Sequence, residues 1–286
     1  MSAEAVDPIE KKPLFHFLPG TQTYSLGGIG CNFRCSHCQN WHISQADRTN
    51  ARLFCLSPEE GVARAVASRS ASISWTYNEP TIWHEYALDM GTLARSRGLG
   101  TCYVTNGYMT EEALRELVPM LSAFRVDLKA FTDSFYRKVC GASLQPVLDA
   151  AVRARELGMH IETVTLVIPG LNDTMEEQEA LIRWVIKNLG PETPMHFSAF
   201  HPDYRLTDRG GTPIALLEKI CTRAKELGLL FPYLGNVGHT RFENTYCPVC
   251  GALLIERRGF SSRITGLDDR QCTNCGETIG IVRRVT

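Results

Sequence analysis

Cys31, Cys35 and Cys38 put three thiols into eight residues of a 286-residue chain that has 11 cysteines in all. Thiolates are soft ligands that suit zinc or iron–sulfur clusters, and a loop this short can turn all three towards one centre. Four cysteines would close such a site. Three leave one corner free, the arrangement of a catalytic metal centre and not of a structural one. Two ligand sets satisfy the count: an iron–sulfur cluster with one uncommitted iron, or a zinc ion that borrows His37 or His42 as its fourth donor.

The second cluster of thiols has the opposite arithmetic. Cys247, Cys250, Cys272 and Cys275 form two Cys-x2-Cys-Gly knuckles separated by 21 residues. Glycine after each pair allows the tight turn that aims backbone amides at the sulfurs. Four thiolates at this spacing are expected to hold one zinc, or one iron, in a zinc-ribbon or rubredoxin-like unit. Residues 241–286 have too little apolar content to fold unaided, so the metal is expected to supply their stability. Arg257, Arg258, Arg263, Arg283 and Arg284 give this tail local positive charge, and a docking or lid role is favoured over nucleic acid. Cys55, Cys102, Cys140 and Cys221 are isolated and read as inert, mostly buried thiols.

Bulk composition narrows the function classes. Lysine plus arginine number 30 against 31 acidic residues, a net charge of −1. No global field therefore favours nucleic acid or an anionic membrane. No apolar run reaches the roughly 18 residues of a membrane span, and the opening MSAEAVDPIEKK is unlike a secretory signal. Many cysteines without export point to reduced, metal-binding thiols in the cytoplasm.

The elements that must position the cysteines repeat. Residues 1–20 read as an N-terminal arm. Residues 21–240 alternate β-prone runs (21–27, 71–76, 101–105, 123–129, 160–168, 195–200 and 229–234) with amphipathic stretches. Several of those stretches open on caps, such as Ser57-Pro58-Glu59-Glu60. The Asn172-Asp173-Thr174 sequon is read as a helix start. Six strand–helix units predict a largely parallel sheet with helices outside, though periodicity alone leaves open whether the sheet is flat, doubly wound or a curved partial barrel. In barrels of this kind chemistry collects at the C-terminal strand ends. The unusual polar residues fall there: Tyr77, Asn78, Glu79, Thr105, Asn106, Asp127, Lys129 and His201. His84-Glu85 lacks a second histidine and Gly28-x-Gly30 lacks a third glycine, so neither makes a known site.

The cysteine loop, Thr-Tyr-Asn-Glu-Pro-Thr (76–81), Val-Thr-Asn-Gly-Tyr (104–108), Phe-Arg-Val-Asp-Leu-Lys-Ala-Phe (124–131), Phe-His-Pro-Asp-Tyr (200–204) and the terminal knuckles together resemble the radical S-adenosylmethionine (radical SAM) enzymes of the AmmeMemoRadiSam system. Those are relatives of pyruvate formate-lyase activating enzyme. Two departures stand out: His37 replaces the usual aromatic residue before the third cysteine, and Tyr77-Asn78 replace a glycine pair. The resemblance implies an α/β fold, a partial (β/α)6 barrel of radical SAM type with a small C-terminal metal-knuckle domain built on four cysteines. It implies a [4Fe–4S] cluster on Cys31, Cys35 and Cys38 and S-adenosylmethionine on the fourth iron. It places Tyr77, Asn78 and Glu79 by the methionyl amine and Lys129, organised by Asp127, by the carboxylate. Thr105 and Asn106 end the third strand of that pocket, and His201 lies near the cofactor sugar or the substrate. The implied reaction is reductive cleavage to a 5′-deoxyadenosyl radical that abstracts hydrogen from an unidentified substrate. The implied partners are a flavodoxin- or ferredoxin-type electron donor and Memo-like and AMME-region-like proteins. Two other functions remain in view: an activase that installs a glycyl radical on a partner protein, and a non-catalytic zinc or nucleic-acid module.

Overall fold

The computed structural model describes residues 1–49, 51–238 and 240–285. Eight strands form one sheet in the order in which they occur: β1 Ala3–Pro8, β2 Gln22–Gly27, β3 Ser72–Trp75, β4 Gly100–Thr105, β5 Ala123–Asp127, β6 His160–Val167, β7 Met195–Ala199 and β8 Pro232–Gly235. From β2 to β8 every neighbouring pair is parallel, and β1 alone runs antiparallel, on β2. β1 and β8 are the free edges, so the sheet is not closed. The parallel α/β architecture expected from six strand–helix units is the one observed. The arm residues 3–8 extend the sheet by a strand that their composition did not announce.

The crossovers contain the helices Pro58–Ala67, His84–Ser96, Glu111–Leu117, Gln145–Glu156, Met175–Leu189 and Ile214–Glu226. Their starts follow capping chemistry: Ser57, Thr110 and Thr174 each accept an N–H from three residues on. Asn172 of the sequon is fully buried. It donates to Lys129 O (2.7 Å) and Leu166 O (2.9 Å), so it stitches β5 to β6. No helix among the described residues is long and apolar enough to cross a membrane.

Strand periodicity sorts the two faces. Tyr24, Leu26, Ile73, Trp75, Tyr103, Phe124, Val126, Ile161 and Phe197 belong to the main apolar core with the helices. The alternate positions carry Thr23, Ser25, Ser72, Ser74, Arg125, Glu162 and His196, all buried. The concave side is therefore polar and small-residued, which leaves space inside the curl.

A buried carboxylate closes its floor. Glu162 on β6 accepts the N–H groups of Phe15 (2.9 Å) and His16 (2.7 Å) from the arm. It also accepts His196 Nε2–H at 2.8 Å and His160 Nε2–H at 3.0 Å. Burial alone would raise this carboxyl, but the histidines outweigh burial and hold it well below its usual range. The arm then seals the strand beginnings with Ile9, Leu14, Phe17 and Leu18.

The C-terminal unit is welded to the same floor. Phe15, Phe231 and Tyr233 share an apolar cluster with Cys247, Leu254, Ile255, Cys272, Ile279 and Ile281. Within it, β9 Thr245–Tyr246, β10 Leu253–Arg258 and β11 Ser261–Ile264 form a small antiparallel sheet. Arg257, grouped from the sequence with surface charges, is fully buried. It donates to Phe15 O (2.7 Å), Glu243 O (3.0 Å) and Thr245 Oγ1 (2.8 Å), with its guanidinium 4.1 Å from the Phe15 ring. Sequence position could not reveal this, because the acceptors lie 242, 14 and 12 residues away.

The floor has a pH signature. Burial drives His16 down to about 3 and lowers His196. The unfolded chain therefore takes up protons below pH 6.5 that the fold refuses, and stability falls as pH drops through that window. The expected loss from the His16 ring is up to about 1.4 kcal/mol per pH unit, and the lowered His196 ring acts in the same direction. Histidine NMR signals at pH 5.5 should show the His16 ring neutral; ordinary titration of that ring would contradict this account of the floor.

Candidate functional site

The three cysteines lie on the loop after β2, and side chains beyond β3 and β4 hold that loop. Asn78 accepts Gly28 N–H (2.9 Å) and donates to Gly30 O (3.0 Å). Asn106 donates to Asn32 Oδ1 (2.7 Å), and Asn32 donates onward to Tyr108 O (3.0 Å). Glu79 ties the two strand ends together: Oε1 accepts Thr105 Oγ1–H (2.7 Å) and Thr81 N–H (3.0 Å), and Oε2 accepts Asn106 N–H (2.8 Å). Burial pushes this carboxyl up, and those donors pull against it. Both oxygens of Glu79 are thus engaged within the protein.

Tyr77 stands in the left-handed region at φ +71°. An aromatic residue there costs on the order of 1–2 kcal/mol. Two contacts offset it: the hydroxyl donates to Asp7 Oδ2 at 2.5 Å, and the Lys12 ammonium lies 4.7 Å from the ring centroid. Gly27 makes room, since a Cβ there would sit 3.0 Å from the ring. Tyr77 therefore occupies a glycine-like conformation and fastens the arm to the end of β3.

Three charges share the inner face of β5 and its extension. Asp127 lies between Arg125, which donates to Oδ1, and Lys129, whose Nζ is 2.8 Å from Oδ2. Burial would raise Asp127, but the two cations outweigh it and hold it below the carboxylate norm. Burial would lower Lys129, yet Asp127 and the nearby thiols keep it well above its usual value. Asp127 is thus the counter-charge of Lys129. Arg125 was not singled out from the sequence. Its signal was there: Arg125, Asp127 and Lys129 alternate at period two.

These groups surround one cavity of about 720 Å³. It is lined by all three cysteines, by Tyr77, Asn78 and Glu79, and by Thr105, Asn106, Asp127 and Lys129. Ser198 and Asn236, which sequence reasoning did not name, add polar atoms from the far side, and Gly259-Phe260 at the β10–β11 turn reach its rim. His201 is exposed beyond β7 and does not line the cavity.

The cysteines differ in surroundings. Cys31 Sγ accepts Phe33 N–H at 3.4 Å, and Cys38 Sγ lies 3.1 Å from Ser44 Oγ. Cys35 is buried against the Cys140 thiol, and that contact, with burial, raises it well above an ordinary thiol. Burial and the Glu79 charge push Cys31 up to about 12, and burial raises Cys38. A metal cation reverses this balance by binding the thiolates. His37 is buried, packs 6.2 Å from Phe135, and is lowered to about 3 by burial; His42 is exposed.

Sulfur spacing defines the C-terminal centre. Cys247, Cys250, Cys272 and Cys275 have all four donor atoms within 4.8 Å of one another, with Sγ pairs at 3.6 and 3.7 Å. A tetrahedral ion bound at about 2.3 Å sets its sulfurs about 3.8 Å apart, so these residues fit a single ion. Among the described residues no other such group meets that spacing. Cys31, Cys35 and Cys38 instead share the lining of the cavity.

The pattern of the Radical SAM superfamily matches residues 26–185, more than half of the chain. The chain belongs to the radical SAM superfamily. Members of this superfamily are enzymes, and membership implies a [4Fe–4S] cluster and S-adenosylmethionine. An uncharacterized protein of Methanocaldococcus jannaschii is 48% identical over 280 residues, covering 97% of this chain and 83% of that one. The isethionate sulfite-lyase activating enzyme of Oleidesulfovibrio alaskensis is 27% identical over 119 residues, 41% of this chain and 38% of the enzyme. Among solved structures, a radical SAM methyltransferase from Sphaerobacter thermophilus superposes with a TM-score of 0.60 at 17% identity, covering 82% of this chain and 71% of that one. That likeness shows the radical SAM fold.

Asp127→Asn would leave Arg125 and Lys129 without their shared carboxylate. About a quarter of the Asp127 side chain (26%) faces the cavity. The expected destabilisation is therefore about 3 kcal/mol, the low end for a broken buried pair. Urea unfolding at pH 7.5 measures it, and an unchanged midpoint would show the pair to be dispensable.

Proposed function

We propose that this chain is a radical SAM enzyme of the AmmeMemoRadiSam system, with Cys31, Cys35 and Cys38 as the ligands of its [4Fe–4S] cluster. The observation that carries the reading is the convergence of three loop thiols on a cavity that also receives a buried cation–carboxylate network. Bound there, the cluster supplies the electron that cleaves the sulfonium of S-adenosylmethionine to methionine and a 5′-deoxyadenosyl radical, which takes hydrogen from the substrate.

The chain's own residues do the positioning. Lys129, held by Asp127, offers an ammonium to the methionyl carboxylate. The cavity-facing edge at Tyr77, Asn78 and Glu79 offers polar groups to the amine, while the Glu79 carboxylate keeps Thr105 and Asn106 in register. Burial of the floor by Phe15, Glu162 and Arg257 closes the cavity from below and keeps bulk solvent out of the site. His201 remains a candidate for contacts made at the outer rim. The unit at 241–286, carrying zinc or iron on its four cysteines, acts as a structural cover on the barrel at 21–240, with the arm at 1–20 beneath. A flavodoxin- or ferredoxin-type protein is the electron donor, and Memo-like and AMME-region-like proteins are the partners.

A second reading is favoured by one finding. The similarity to an isethionate sulfite-lyase activating enzyme supports an activase that draws hydrogen from a partner protein's glycine. The cysteine chemistry is common to both readings.

Two experiments test this. Anaerobic Cys35→Ala should lose the cluster absorbance and form no 5′-deoxyadenosine with dithionite and S-adenosylmethionine; retained cleavage refutes the assignment. Metal analysis of wild type should give, beside the cluster iron, one further zinc or iron per chain, absent from Cys272→Ser. A wild-type protein without that extra ion would remove the cover's metal.

A further inference from the structure

Cys140 belongs to neither set of metal-binding thiols, yet the fold places it against a member of one. It ends a π-helical turn, Tyr136–Cys140, a feature that recurs at functional sites. The cysteine loop lies along that turn. Arg34 N–H donates to Cys140 O at 2.8 Å and Ser36 N–H to Val139 O at 2.9 Å, so main-chain bonds flank Cys35 on both sides. Phe33 meets Tyr136 edge-on, with ring centroids 6.2 Å apart and planes at 88°, and His37 lies 6.2 Å from Phe135. The Cys35 and Cys140 thiols touch inside this bracket.

The two thiols differ in access. Cys140 is fully buried, whereas Cys35 lines the cavity. Cys31 and Cys38 line it too, but their sulfurs face other groups: Phe33 N–H at 3.4 Å from Cys31, and Ser44 Oγ at 3.1 Å from Cys38. A small reagent that enters the cavity and reaches Cys35 therefore finds a second thiol already beside it. Two cysteines held side by side by their backbones have the proximity that a disulfide requires. In a chain whose cysteines are all free thiols, such a pair is suited to reversible redox chemistry and not to a structural bridge.

We propose that Cys35 and Cys140 form a reversible disulfide when a peroxide meets the protein stripped of its cluster, with Cys35 as the thiol oxidised first and Cys140 as the resolving thiol. That Cys35 is otherwise a cluster ligand rests on the radical SAM reading; the thiol chemistry does not. The Cys35 sulfur attacks one peroxide oxygen, the O–O bond breaks, and the departing hydroxide leaves as water with the Cys35 proton. The Cys140 sulfur then attacks the sulfenic sulfur. An S–S bond forms, and the second hydroxide leaves as water with the Cys140 proton. The two thiols have lost two electrons and two protons, and hydrogen peroxide has become two waters. The disulfide withdraws one of three ligands, so cluster assembly waits for a thiol reductant. It also stops Cys35 short of the sulfinic acid, which thiols do not reverse.

The test treats the reconstituted full chain with hydrogen peroxide until iron is released, alkylates the remaining thiols and maps the tryptic peptides. Wild type should yield residues 35–48 linked to residues 139–153, a link that dithiothreitol cleaves. Cys38→Ser should keep the link. Cys140→Ser should lose it and accumulate sulfinic acid at Cys35. After dithiothreitol, with iron and sulfide resupplied, wild type should regain its cluster absorbance, and Cys140→Ser should regain about fivefold less. Before oxidation the two proteins should take up equal cluster, which separates oxidation from folding. A link confined to residues 31–38, sulfinic acid at Cys35 of wild type with no link, or equal recovery of the two proteins overturns the proposal. A wild type that forms the link but binds no iron at Cys31, Cys35 and Cys38 when reduced sinks the radical SAM reading instead and leaves the disulfide standing.

Discussion

The cysteine loop has little core of its own, and its shape is set by hydrogen bonds from two strand ends. Asn78 grips the backbone at Gly28 and Gly30, Asn106 grips Asn32, and the buried Glu79 carboxylate locks the strand ends carrying those amides. A metal centre with an open corner needs ligands whose positions are imposed by the scaffold, because no fourth protein ligand shares the task. Directional bonds to rigid strand ends provide that imposition better than apolar contact would. The same constraint explains the strained Tyr77: its backbone turns the chain so that Asn78 and Glu79 meet the loop.

The open sheet creates a second problem, a curl with a polar lining and no natural floor. Glu162 solves it by collecting four donors, two from the arm and two imidazoles. Arg257 then adds a cation from the C-terminal unit against the Phe15 ring and carbonyl. The thiolate-bearing tail is thereby a part of the barrel's closure, continuous with its floor, and its hairpin tip reaches the cavity rim at Gly259-Phe260. A small unit held by one ion and a shared apolar cluster gives the fold a cover without a large core of its own.

Much of the site was legible in residue order because its chemistry is local. The cysteine spacings, the knuckles with their glycines, the capped helices and the polar strand ends are all short-range patterns. The placement of Asn78, Thr105, Asn106, Asp127 and Lys129 on one cavity follows from a parallel sheet, in which every strand end points the same way. What escaped is equally physical. Arg257 reads as surface charge until its distant acceptors are known. Arg125 hides in an alternating strand. Cys140, isolated in sequence, reaches Cys35 only through the turn that straps the loop.

By itself the sequence determined which atoms can bind metal, the strand–helix alternation and the charge balance, since each depends on residue type and near neighbours. Tertiary structure alone decided how the Glu79 and Asp127 carboxylates are engaged, that His201 lies outside the cavity, and that Arg257 is buried in the floor. Those outcomes depend on distances between residues far apart in the chain. Such distances follow from how the sheet curls and how its floor is filled, and no local pattern encodes them.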